Sequence, residues 1–420
     1  MSTNLLPQLS RRDFQPKAQS PIDAETLAGV SQILADVRSE GAEAVRRHAE
    51  DLGDLKVGDD LVVEKNALDM ALATLDAPDR EVLQRAASRI TEFAHAQLDS
   101  LRPLSCSVAG GRAGHDLVPV ERVGCYAPGG RYPLPSSVLM TVIPARVAGA
   151  ADITLASPCP APITLAAASL AGANRVLAVG GAQAIGAMAY GAGLPAADFL
   201  CGPGNRWVTA AKQLVFGTTG VDMLAGPSEL LVVADAKANP SWIAADLLAQ
   251  AEHDPDARPY LFSTDVALLD AVERELQLQI PDLASRSTCI EALRGGAAVA
   301  CSDLEEAIEL SDALAPEHLA LHLEDAAAVA PRFRHAGAIF IGARAAEAFG
   351  DYGLGPNHAL PTSRGARHRG GLSVFDFLRV RTWMELRDAT AAPDIANFAR
   401  LESLEAHARS AELRSQPGQP

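Results

Sequence analysis

Apolar positions recur at helical spacing over residues 23–52 and 78–100, with Ala, Leu, Glu and Arg between them, which predicts two long helices near the start of the chain. From residue 150 onward the rhythm changes. Short β-branched or apolar runs, each closed by Gly, Pro or Ser, alternate with Ala-rich helical stretches: DITLASP (152–158), RVLAVGG (175–181), LLVVADA (230–236), PYLFST (259–264), AAVACSD (297–303) and AGAIFIG (336–342). Strands separated by helices predict an α/β fold with parallel sheets, because each crossover must return the chain to the same edge. There is no fixed-period repeat, and the polar end RSQPGQP (414–420) is expected to fray.

A length of 420 residues exceeds one small core and predicts two large lobes. Of these residues 48% are hydrophobic and 21% charged, the composition of a globular protein rather than a disordered one. The formal charge of −16 opposes attraction to phosphate backbones, so nucleic acid is not an expected partner. No apolar run is long enough to span a bilayer, and MSTNLLPQLSRRDF lacks the apolar centre of a secretory signal. The expected address is cytoplasmic, without membrane attachment. Cys106, Cys125, Cys159, Cys201, Cys289 and Cys301 are widely spaced with no CxxC pair, so all six are predicted to be core thiols.

Gly/Pro-rich loops mark the expected working end, since ligands of open α/β sheets bind beyond the carboxyl ends of the strands. CYAPGGRYPLPSS (125–137), VGGAQAIG (179–186), CGPGNRWV (201–208), AGPSE (225–229) and GDYGLGPNH (350–358) are all expected there. None is a GxGxxG fingerprint. In AADLLAQAEHDPDARPY (244–260), Gln250 and His253 are three apart and share a helix face. By themselves they read first as a polar helix end with a solvated His rather than as a metal pair, because glutamine is an unusual metal ligand. Glu317 and His318 in LAPEHLAL (314–321) stand where a loop enters a strand, placed either as a general acid–base pair or as a surface Glu beside a satisfied His. Asp351 and His358 lie in a stiff Gly/Pro loop, where Asp351 is a ligand or a simple turn cap.

Taken in order, ERVGCYAPGG, PSSVLM, GGAQAIGA, GPGNRWVT, AGPSELLV, DLLAQAEHD, PEHL, GDYGLGPNHALPT and GLSVFDF resemble the histidinol dehydrogenase family from about residue 25 to 410. The resemblance implies two Rossmann-like lobes with parallel sheets flanked by helices, an N-terminal helical arm (1–25) and a C-terminal dimerisation tail (376–420). The first lobe would comprise 26–120 plus 228–375 and carry the metal and acid–base residues; the second, 121–227, would be the NAD side. It further implies a homodimer with one zinc per subunit that oxidises L-histidinol through L-histidinal to L-histidine, with two hydride transfers to NAD.

Position by position, the resemblance assigns Gln250, His253 and Asp351 to zinc, with His407 supplied by the swapped tail of the partner subunit. Glu317 and His318 match the acid–base pair and also face the substrate. Ser228, His358 and Glu402 match substrate contacts, to which the four metal ligands add; Tyr126, Gln183 and Asn205 match NAD contacts. No cysteine nucleophile is required. Two other readings use the same residues: a sister zinc/NAD dehydrogenase acting on another small polar alcohol, and a zinc hydrolase built on Glu317. An anionic alcohol would not suit Glu402, and a hydrolase would turn over without NAD.

Overall fold

The structure, a computed structural model, describes residues 4–16, 22–129 and 132–415. Residues 1–3 and 17–21 of the arm, Gly130 and Arg131 of the CYAPGGRYPLPSS loop, and 416–420 of the polar end lie outside the described residues. The strands in chain order are β1 (Gln8–Leu9), β2 (Val62–Glu64), β3 (Leu104–Val108), β4 (Gly111–Pro119), β5 (Arg122–Tyr126), β6 (Asp152–Ala156), β7 (Arg175–Leu177) and β8 (Phe199–Cys201). They continue with β9 (Gly220–Val221), β10 (Glu229–Ala234), β11 (Arg258–Ser263), β12 (Ala297–Ala300), β13 (His318–His322), β14 (Ala338–Ile341) and β15 (Leu378–Leu386).

Two six-stranded sheets organise the molecule, in the orders β2-β7-β6-β5-β8-β9 and β1-β12-β11-β10-β13-β14. The second sheet is parallel throughout, and in the first only β2 runs antiparallel. Helices cover both faces. That is why Leu230, Leu231, Val232 and Val233 form one continuous apolar run with no alternation: each side chain is buried on one face or the other. The six strands expected from the pattern all form, four within the quoted stretch and two, β10 and β11, beginning one residue before it.

Residues 26–120 do not join the lobe expected for them. β2 pairs with β7, and helix Ala24–Glu40 packs on helices Gly181–Tyr190 and Arg206–Val215 of the first sheet. The physical reason is a fitted apolar seam: Val30, Leu34 and Val37 close over Ile185 and Met188, and Gly186 permits the approach, since a Cβ there would meet Leu34 at 2.9 Å. Residues beyond 358 return to the same lobe, where Leu372, Val374 and Phe377 enter its core and Phe377 meets Phe199 edge-on at 5.5 Å. The helix expected over 23–52 is two, Ala24–Glu40 and Ala42–Asp51, because Gly41 takes φ 67 and ends the first.

The arm expected to be helical instead adds β1 to the edge of β12 and buries Leu6 and Phe14, the latter edge-to-face with Phe262 at 5.1 Å. In the tail, β15 pairs with β4 over nine residues in an antiparallel sheet with β3. Helices Ala392–Leu401 and Glu405–Leu413 then pack on each other through Ala396, Ala399 and Ala408, leaving Ile395, Phe398 and Leu401 exposed. Two cysteines depart from the core: Cys106 lies on β3, where every residue is exposed, and Cys159 sits in the turn after β6. Among the described residues no helix is long and apolar enough to cross a membrane.

Candidate active site between the two sheets

A cavity of about 1290 Å³ separates the lobes, lined from one side by Ser137, Met140 and Gly202–Gly204 and from the other by Ser228, His253, Glu317, His318, Glu347, Asp351 and His358. The two sheets meet it by opposite ends. Tyr126, the Gly180–Gly181 turn and Asn205 stand at the carboxyl ends of β5, β7 and β8, as expected of a dinucleotide site. AGPSE and PEHL, by contrast, precede β10 and β13, so Ser228, Glu317 and His318 stand at the amino ends of their strands. AGPSE was expected at a carboxyl end; it is placed instead where helices of this lobe finish. Helix Pro240–Ala251 ends beside His253 and helix Glu347–Asp351 ends on Asp351, and helix C-termini carry the partial negative charge that suits a cation.

His253 Nε2 lies 3.6 Å from Asp351 Oδ2, and the carboxylate raises the imidazole's pKa. Burial pushes the Asp351 carboxyl up, but the contact with His253 and the fields of His318 and His358 outweigh it and leave its pKa below the usual value. Gln250, on the last turn of helix Pro240–Ala251, is fully buried with neither amide atom hydrogen-bonded. A buried amide without partners is costly unless something binds it. Glu347, which the sequence reading passed over, is 2% exposed; one ligand atom each from His253, Glu347 and Asp351 lie within 4.8 Å of one another. His358 Nδ1 donates to the Asp351 carbonyl at 3.1 Å, which ties the Gly/Pro loop to the same helix end.

Glu317 Oε2 accepts from Ser228 Oγ at 2.6 Å and from the Glu229 amide at 2.9 Å, yet burial pushes its pKa up to about 8. The amide bonds hold the group in place, while desolvation keeps it ready to exchange a proton near neutral pH. His318 Nδ1 is 3.1 Å from the Glu229 carbonyl, which requires the proton on that nitrogen and leaves Nε2 as the basic atom. Nε2 has no hydrogen-bond partner, the ring lines the cavity, and burial lowers its pKa, so the neutral form prevails. No cysteine lines this cavity.

On the cofactor side the three expected residues sit differently from one another. The Tyr126 ring is buried and its hydroxyl accepts from the Gly181 amide at 3.1 Å. Gln183 is buried in the first turn of helix Gly181–Tyr190 with its amide unpartnered, and Asn205 spends Oδ1 capping helix Arg206–Val215 at 3.0 and 3.1 Å. Sequence reading missed Lys212, whose buried ammonium pairs with Asp222 and donates to the Gly202 carbonyl at 3.0 Å. Asp222 accepts from the Gly202 amide at 2.7 Å, so the pair clamps the GPGN turn from within. Glu402 and His407 are exposed on the tail hairpin and do not line this subunit's cavity.

Residues 17–415 match the model of the family described as histidinol dehydrogenase. Two relatives of that name, from Thermus thermophilus and Aromatoleum aromaticum, are 47% and 43% identical over 92% and 93% of this chain and 93% and 92% of their own. The crystal structure of histidinol dehydrogenase from Elizabethkingia anophelis superposes with a TM-score of 0.92 at 32% identity, covering 99% of both chains. The chain belongs to the histidinol dehydrogenase family. It is therefore an NAD-dependent oxidoreductase of histidine biosynthesis that takes histidinol to histidine, which sets aside the hydrolase reading.

The zinc of this family fits the residues present. Gln250 offers an orphaned carbonyl oxygen, His253 an imidazole and Asp351 an ionised carboxylate, a mixed N/O donor set suited to zinc and its divalent neighbours. Glu347 escaped sequence reading because one acid in RAAEAFGD has the look of a solvated helix residue. Only its burial gives it away.

Proposed function

We propose that the chain oxidises L-histidinol to L-histidine with Gln250, His253 and Asp351 holding zinc, Glu317 and His318 moving protons, and the partner's His407 and Glu402 completing the site. The observation that carries this reading is the unpartnered Nε2 of buried His318 in the same cavity wall as the His253–Asp351 pair. When bound, zinc would supply a Lewis-acidic template that orients the polar substrate, and NAD would supply the hydride acceptor for both oxidations. His318 Nε2 takes the hydroxyl proton in the first oxidation. Glu317 then takes a proton from the water that hydrates the aldehyde while protonated His318 returns its proton to the former carbonyl oxygen, and the neutral His318 so restored accepts the proton of the resulting diol in the second oxidation. Ser228 and the Glu229 amide hold Glu317 in position for this. Tyr126, Gln183 and Asn205 form the NAD side, and His358 borders the substrate.

Dimerisation through the tail is supported by the exposed apolar face of Ile395, Phe398 and Leu401 on a hairpin whose two helices pack on each other through Ala396, Ala399 and Ala408. Glu402 there would face the substrate's ammonium. The test is to incubate the purified protein with L-histidinol and NAD, with and without a chelator, and to count NADH. Two NADH per substrate, lost on chelation, is the expected result. One NADH per substrate points to the sister alcohol dehydrogenase, and turnover that survives chelation overturns the metal assignment.

A further inference from the structure

Glu347 is the buried ionisable group that the reaction above leaves without a task. It is 2% exposed, it lines the cavity, and neither carboxylate oxygen has a hydrogen-bond partner. His318 Nδ1 stands 3.5 Å from its Oε1, but that nitrogen already donates to the Glu229 carbonyl at 3.1 Å. Glu347 and Asp351 are four residues apart on one short helix, which sets both carboxylates on the same side. With His253, their ligand atoms fall within 4.8 Å of one another, so a small rotation of side chains brings three donors onto one ion.

Charge points the same way. A divalent ion held by Gln250, His253 and Asp351 meets a single negative charge and retains open positions. The cost of a buried, unpartnered carboxylate disappears when it faces a dication. We propose that Glu347 is a fourth same-chain ligand, which holds the ion in a subunit whose partner tail has not docked and yields its place to the partner's His407 on assembly. This rests on the assignment of the metal to Gln250, His253 and Asp351. It gives the subunit a means to keep its metal before the tail of a second copy arrives.

The experiment measures zinc affinity by competition with a chromophoric chelator, and the visible spectrum of the cobalt-substituted protein, on full-length chains carrying Glu347→Gln, His407→Ala or both. Glu347→Gln is expected to change zinc affinity by no more than about 2-fold where His407 is present, and to weaken it at least about 100-fold in the His407→Ala background, beyond the product of the single effects. The cobalt spectrum of His407→Ala is expected to change when Glu347 is replaced. Glu347→Asp, which keeps the charge, should restore part of the affinity; melting curves in chelator show that each variant folds. Unchanged zinc affinity and cobalt spectra in both backgrounds overturn the proposal. Asp351→Asn in the His407→Ala background separates the two levels: if it weakens zinc there while Glu347→Gln does not, only the role of Glu347 falls, and if neither weakens zinc, the metal assignment falls with it.

Discussion

The two six-stranded sheets share an architecture and use opposite ends of it. Around β5, β7 and β8 the chain leaves the carboxyl ends through glycine-rich turns into helix N-termini, and the buried residues there are mostly Ala, Val, Leu and Ile. At β10 and β13 the reactive groups stand at the amino ends, where Glu229, Glu317, His318 and Glu347 are buried or nearly so and two helices finish. Helix N-termini favour an anionic dinucleotide and helix C-termini favour a cation. One parallel α/β layer thus offers both kinds of end, and facing the two layers across a cavity sets one kind opposite the other.

The sharpest break of this comparison comes from the tail and the metal end. His407→Ala and Asp351→Asn are each expected to abolish turnover and weaken zinc, checked by NADH formation and metal content of the purified protein. Full activity with stoichiometric zinc in His407→Ala would remove the swapped tail from the site. Next, His318→Gln is expected to lower kcat about 10²–10⁴-fold while zinc content stays intact, checked by steady-state kinetics beside metal analysis. Equal loss of metal would make His318 a structural group of the cation end.

The cofactor end is tested by Lys212→Met, which strands Asp222 without its buried partner. A loss of about 3–5 kcal/mol in stability is expected, with a raised KM for NAD because the GPGN turn loosens. Denaturant melts and NAD titrations check it; an unchanged KM for NAD would detach the clamp from the cofactor.

The smallest effect concerns pH. Glu317 has a folded pKa of about 8 against an ordinary 4.5, raised first by burial and then by Asp351, so the fold favours the protonated acid. Its contribution is fully present below the unfolded pKa and is lost as pH rises through about 8. Glu317→Gln mimics the neutral acid. In the metal-free protein its melting temperature is expected to match the parent near the ordinary carboxylate pKa and to exceed it by several degrees in mild alkali, while NADH per substrate falls from two to one. A gap that shrinks with rising pH would reverse the sign of the burial effect.

Much of this was legible in the chain. The period of apolar residues gave the parallel strands and the motif order gave the family; Glu317, His318, His253 and Asp351, which the motifs singled out, line one cavity. The antiparallel sheet stayed hidden because β15 pairs with β4 more than 250 residues away and its strands show little burial to set an alternation. Residues 26–120 were given to the other lobe because a helix's apolar face names no partner; Gly186, by admitting Leu34, decides it.

By itself the sequence determined the parallel strands of the alternating stretch and the helices between them, since period and turn chemistry are local, and the family to which the chain belongs. Only the tertiary structure decided which sheet each segment joins, that His253, Glu347 and Asp351 gather within 4.8 Å of one another, and that Glu347 and Lys212 are buried. The reason is that burial and charge pairing depend on what the rest of the chain packs against a residue, and one acid or one lysine in a helical stretch looks the same in water and in a core.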